Sequence, residues 1–277
     1  MQEEGLGLYG PQGFWKAMRG VLLLLACLSP QAWGSEGPRF TARLQAGRDS
    51  YSFAPPGSGA SLSLEDRDFR GWRAQGSATY AHRFGLDDLD LGLAATRPLP
   101  WRKAYAGLSL GGATRHSILP AFRAGLSGGL SLGLGLAAEG ELSYRHYDHA
   151  NLYVAAPRLL YYWRDWVLVG GYTLSQTYYT AGADSGGLSS FMAKLAWTGP
   201  RIRPWISYAR SKEPFEAGRG AVQSFRADLY AAGAALDLGR GWELEPTFSY
   251  EKRLPSGQHV NAAGLGLAYS WGKAKAP

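Results

Sequence analysis

From Phe40 onward the chain repeatedly places large apolar side chains at every second position, with small or polar ones between them. That period of two belongs to extended backbone, whose successive side chains point to opposite faces. The clearest case is Trp242-Glu-Leu244-Glu-Pro246-Thr-Phe248-Ser-Tyr250-Glu251, in which Glu243, Glu245 and Glu251 share one face. A slip of one residue would move all three to the apolar side, so the register is firmly set. In the same way Phe40, Ala42 and Leu44 oppose Thr41, Arg43 and Gln45, and Trp72, Ala74, Gly76, Ala78 and Tyr80 oppose Arg73, Gln75, Ser77 and Thr79. The pattern predicts strands over 40–46, 69–83, 89–93, 104–111, 121–133, 137–148, 152–163, 166–178, 189–197, 201–210, 224–238, 242–251 and 260–271. Residues 54–63, rich in Pro, Gly and Ser, read as a loop.

The connections alternate in length. Arg164-Asp165, Thr198-Gly199-Pro200 and Gly239-Arg240-Gly241 are short, whereas 179–188, 211–223 and 253–259 are long. Trp163, Trp166, Trp197 and Trp242 all stand beside the short ones. In the final strand Leu265, Leu267, Tyr269 and Trp271 alternate with small residues.

Composition narrows the setting. The 277 residues include 38 Gly and are 13% aromatic, more than a soluble enzyme of this size carries. Arg19, a short apolar run, Pro30 and Ala32-Trp33-Gly34 read as a secretory signal over residues 1–34, with Met18 as an alternative start. The run is shorter than the ~20 residues a membrane-spanning helix needs. The single cysteine, Cys27, closes the lipobox-like Leu24-Leu25-Ala26-Cys27, but ordinary cleavage after Gly34 discards it. No disulfide, thiol chemistry or cysteine metal site then remains in the exported chain.

Export, one-sided strands, tight turns opposite long loops and tryptophans beside those turns describe a sheet closed within a bilayer. The expected fold is all-β: a single antiparallel transmembrane up-and-down β-barrel of about 12–14 strands, occupying residues 35–272 with a polar tail at 273–277. Thirteen segments conflict with the even number that leaves both ends in the periplasm, so one stretch between Arg39 and Leu119 is misread. Near the end of the last strand, the spacing of Gly266, Tyr269 and Trp271 resembles the C-terminal signal read by the barrel-assembly machinery.

In a barrel the polar face lines the lumen. Arg43, Arg73, Arg123, Arg145, Arg158, Lys194, Arg203 and Arg226 are the inward basic candidates, and Glu141, Asp228, Glu243, Glu245 and Glu251 the inward acidic ones. The formal charge of +7 fits an anionic solute or polysaccharide inside, and outer-membrane lipid and lipopolysaccharide outside, rather than nucleic acid. Paired charges bracing a narrow barrel are the competing reading of the same positions.

Discrete chemistry is sparse. Tyr144-Arg145-His146-Tyr147-Asp148-His149 puts a histidine and a carboxylate close together, yet no serine is tied to them and no third metal ligand follows by spacing. His82, His116 and His259 read as loop histidines near strand ends. Gly133-Leu-Gly135-Leu-Ala-Ala138 fits a dinucleotide-binding spacing but lacks the helix that motif requires. Neither enzymatic activity nor a cofactor nor a metal is expected.

Glu141-Leu-Ser-Tyr144-Arg145-His-Tyr147-Asp148, then 161–166 and Val169-Gly-Gly-Tyr172, resemble the Tyr-Arg-x-Tyr strand end and following hairpin of the YaiO family of outer-membrane β-barrels. The likeness runs over 121–271 and implies an integral outer-membrane barrel without catalytic residues. The leading expectation is a channel or export-accessory barrel for small or anionic solutes, saccharides among them. The alternative is a non-conducting structural or surface-binding barrel acting through 54–63, 179–188 and 211–223, and the third a lipid-modifying enzyme centred on His146 and Asp148.

Overall fold

The alternating segments form a single closed antiparallel sheet in a computed structural model of the chain, which describes residues 38–100, 103–115, 119–180, 187–216 and 222–273. Residues 1–34, expected to be a secretory signal and including Cys27, and residues 274–277 lie outside that range, as does His116. The strands are β1 (Phe40–Tyr51), β2 (Gly57–Phe69), β3 (Trp72–Arg83), β4 (Leu86–Leu99), β5 (Ala104–Ala113), β6 (Phe122–Gly133), β7 (Leu136–Tyr147), β8 (Ala150–Ala155), β9 (Arg158–Trp163), β10 (Trp166–Tyr179), β11 (Leu188–Trp197), β12 (Ile202–Glu216), β13 (Val222–Gly239), β14 (Trp242–Leu254) and β15 (His259–Trp271).

β8 and β9 are two halves of one stave. Both pair with β7 and with β10 in unbroken register on either side of Ala156-Pro157. Proline cannot donate to the ladder, yet the Pro157 carbonyl still accepts from Tyr172 N at 3.0 Å, and Ala156 exchanges both backbone bonds with Glu141. The barrel therefore has fourteen staves, and β15 pairs with β1 from Phe40↔Trp271 to Tyr51↔Val260 to close it. Closure leaves no free sheet edge, as a bilayer demands.

The even count comes from β2. Residues 54–63 are not a loop: Gly57 onward is strand, paired with β1 and β3 along most of its length. Likewise 211–223 is mostly strand, because β12 and β13 stay paired out to Glu216↔Val222.

With β2 in place, the start of β1, the end of β15 and the connections after β2, β4, β6, β9, β11 and β13, each of two to four residues, lie at one end of the barrel, which is the periplasmic end; at the other end the connections after β3, β7 and β14 are as short, and the long ones all lie there. Four of the tightest turns are two-residue hairpins whose central residues both have positive φ: Arg70-Gly71, Phe84-Gly85, Leu134-Gly135 and Arg240-Gly241. That backbone matches the twist of the flanking strands and explains the glycine at the second position. At Gly135 (φ 79°) a Cβ would also sit 2.4 Å from the Tyr162 carbonyl oxygen, whose strand bonds back to the turn.

The two faces of the sheet differ as the alternation requires. Leu93, Leu126, Leu142 and Ile206 are 60–71% exposed on the outer wall, an apolar surface that water would not tolerate and acyl chains cover. Among the described residues, tryptophans at 72, 163, 166, 197, 242 and 271 ring the periplasmic end of that wall, with Tyr269 stacked on Trp271 at 5.6 Å and tilted against Trp242 at 4.6 Å. The most buried charged groups face inward instead: Asp88, Asp90, Arg83, Arg145, Glu251 and Arg253.

Candidate functional site

The lumen wall is the surface on which this chain concentrates its charge. Register carried around all staves puts Arg43, Arg73, Arg123, Arg145, Arg158, Lys194, Arg203, Glu141, Glu243, Glu245 and Glu251 on the inner face. Arg226 and Asp228 are not there. They alternate with the inward Ala227 and Leu229, and stand on the outer wall with the exposed Tyr230.

A strand spacing of ~4.8 Å and a tilt near 40° put the wall of a fourteen-stave barrel about 14 Å from its axis. An extended arginine reaches about 7 Å from its Cα, so side chains from opposite walls cannot meet. The ion pairs accordingly run sideways along the wall. At the periplasmic level Arg43 Nε donates to Glu245 at 3.0 Å, Arg73 lies 3.1 Å from Glu65, and Arg203 pairs with Glu243. At the external level Arg83 pairs with Asp49, Arg253 Nε donates to Glu251 at 2.8 Å, and Arg123 pairs with Asp90. Arg123 lies flat because Gly92 and Gly111 leave room beneath it; a Cβ there would meet its guanidinium at 2.5 and 2.7 Å.

Between these levels the inward positions are small: Ser61, Ser77, Gly92, Ser109, Gly125, Ser143, Thr173, Ser207 and Gly264, with Glu141 the charged exception. The lumen is thus widest at mid-height.

Two connections narrow the external mouth. Phe53 and Ala54, between β1 and β2, pack on the inward Tyr51 and Val260 beside Phe84, with Arg253 over the Phe53 ring at 4.8 Å. Between β5 and β6, the Leu119 amide donates to the inward Asp88 at 2.7 Å.

Two inward cations on the periplasmic half differ from the rest. Among the described residues no carboxylate lies at ion-pair distance from Arg158 or Lys194, though Arg158 faces the inward Glu139 across the ladder and feels its charge, whereas Lys194 stands between Val169 and Ser207. Lys194 Nζ instead sits 4.6 Å above the ring of the inward Trp205, and the apolar Leu160, Val167, Val169 and Met192 share that part of the wall. Tyr105, hydrogen-bonded to Glu139, also faces inward. Sequence reasoning passed over Trp205 and Tyr105, although the parity that fixes Arg203 fixes Trp205 as well.

The histidine cluster separates. His146 is on the outer face, its Nδ1 2.8 Å from Asn151 Oδ1, which also accepts from Tyr144 at 2.8 Å; Asp148 lies in the turn after β7. His82 belongs to β3 rather than a loop, held by Asp87 at 2.8 Å, and His259 opens β15.

Residues 41–193, more than half of the chain and β1 into β11, match the family described as the YaiO membrane beta barrel domain. The chain belongs to the YaiO family. The match includes the N-terminal strands that the likeness over 121–271 left out, and ends before β12. The YaiO-family barrel is an integral outer-membrane β-barrel protein, and solved outer-membrane barrels share its fold. A bacterial polysaccharide outer membrane secretin superposes with a TM-score of 0.56 at 11% identity, covering 86% of this chain and 100% of that one. Omp33 of Acinetobacter baumannii gives 0.51 at 11% identity (85% and 99%), and the translocator domain of the autotransporter NalP from Neisseria meningitidis 0.50 at 15% (92% and 95%). No curated protein sequence matches significantly.

Proposed function

We propose that this barrel is a channel passing small anionic solutes, acidic saccharides among them. The observation that carries this is the pair Arg158 and Lys194, two neighbouring cations facing the lumen with a single carboxylate, Glu139 opposite Arg158, between them. An aqueous passage whose wall carries a local surplus of positive charge attracts anions and repels cations. The Trp205 ring beside Lys194 adds an apolar face on which a sugar ring can lie. With the pairs running sideways, wall side chains alone leave the centre of the lumen free. Gly266, Tyr269 and Trp271 close the barrel in β15, with Tyr269 and Trp271 facing lipid, a placement compatible with recognition by the assembly machinery.

The reading is non-enzymatic. It rests on the outward His146 and the turn position of Asp148, with no nucleophile arranged between them among the described residues. A non-conducting surface-binding barrel is the second reading, supported by the two connections packed into the external mouth.

Planar-bilayer recording separates the two. Purified protein should give discrete conductance steps and, under a salt gradient, a reversal potential of the sign set by chloride. Silence, or cation preference, would rule out the channel reading.

A further inference from the structure

The outer wall carries a cluster of charge that the lumen reading does not use. Arg210, Asp228, Lys252 and His259 fall in one cross-strand row over β12, β13, β14 and β15, near the external rim, and Arg226 stands one outward position further along β13. All share the face of Tyr230 and Phe248, both more than half exposed toward lipid.

One carboxylate serves this row, and it is engaged. Asp228 accepts from Arg210 Nε at 2.6 Å and Nη2 at 3.4 Å, and from the Tyr208 hydroxyl at 2.9 Å. Arg226 and Lys252 are exposed, and among the described residues neither has a carboxylate at ion-pair distance. One step toward the membrane centre run Tyr208, Tyr230 and Tyr250, with the first two rings 5.2 Å apart. Tyrosines of this kind sit where hydrocarbon gives way to headgroups, which places the cations at headgroup level.

The lysine and arginines of this row have no counterpart on the far wall. On β7, β8 and β10 the matching outward positions are Tyr144, His146, Asn151, Tyr153, Gln176 and Tyr178, without a lysine or arginine among them. General adhesion to an anionic surface would not require that asymmetry. Two exposed cations beside a tyrosine belt, sharing only the already engaged Asp228, favour an anion held at the same depth, and a glycolipid phosphate of the outer leaflet supplies it. The planar guanidinium of Arg226 suits two phosphate oxygens, and Lys252 a third.

We propose that Arg226 and Lys252 bind a phosphate group of outer-leaflet lipopolysaccharide, with Arg210 and Asp228 fixing the row beside it. The test is titration of the detergent-solubilised barrel with bisphosphorylated lipid A, reading bound lipid by native mass spectrometry. The Arg226→Gln/Lys252→Gln variant should bind roughly thirty-fold more weakly, since each surface cation contributes about 1 kcal/mol. Dephosphorylated lipid A should bind the unaltered barrel about as weakly. Unheated electrophoretic mobility shows that each variant is folded, and Arg164→Gln, at the periplasmic end, is the control. Equal binding of the two lipids, an unweakened double variant, or an equal loss in the control would each overturn the site.

Discussion

A barrel carrying Arg158→Glu and Lys194→Glu should reverse its ion preference, with the zero-current potential in a salt gradient changing sign. The two side chains face the lumen on β9 and β11, and the substitution replaces two positive charges by two negative ones on one arc of wall. At about 0.1 M salt the Debye length is about 10 Å, comparable with the lumen radius, so the field reaches most ions in transit. At about 1 M it shrinks to about 3 Å and the difference between variant and parent should fade. Arg226→Glu removes an arginine just as completely but acts on the outer wall, and should leave selectivity unchanged. A reversal with Arg226→Glu, or none with the lumen pair, would remove Arg158 and Lys194 from the conduction path.

The second large effect concerns stability. Glu251 and Arg253 are 3% and 5% exposed and lie two residues apart on β14 with 2.8 Å between Nε and Oε1. Arg253→Met leaves Glu251 without that guanidinium in a poorly solvated place and should cost about 3–5 kcal/mol. Because most of that loss is the stranded carboxylate, Glu251→Gln/Arg253→Met should recover much of it. Urea unfolding in lipid micelles, followed by tryptophan fluorescence, measures both. If the double variant were as unstable as the single one, the pair would contribute through packing, for example the Arg253 contact with Phe53, rather than through charge.

The same physics decides what could be read in the sequence. Where a strand crosses hydrocarbon and its inner face carries charge, alternation is unmistakable, as in β14 with Glu243, Glu245 and Glu251 inside and Leu244, Phe248 and Tyr250 outside. β2 escaped because its inner face is Gly57, Gly59, Ser61 and Ser63, the small residues of a wide lumen, and the composition of such a strand is that of a loop. Only Leu62 and Leu64, both more than half exposed to lipid, betray it. Arg226 and Asp228 were misplaced for the opposite reason. Above the tyrosine belt the outer face meets headgroups, so polar no longer means inward, and Ala227 and Leu229 take the lumen side. Trp205 escaped because tryptophan in such a chain reads as girdle, although its odd position beside Arg203 and Ser207 turns it inward.

Everything rests on apolar positions touching acyl chains while their neighbours face an aqueous interior. Adjacent residues of β6 test this: Leu126, 64% exposed on the outer wall, and Ser127, inward at mid-height. With Cys27→Ser as a cysteine-free background, Ser127→Cys in reconstituted vesicles should react with a water-soluble maleimide. Leu126→Cys should resist it and, once labelled in detergent and reconstituted, be quenched by lipid-attached quenchers. Reaction of Leu126→Cys with the aqueous reagent while Ser127→Cys stays inert would contradict the account.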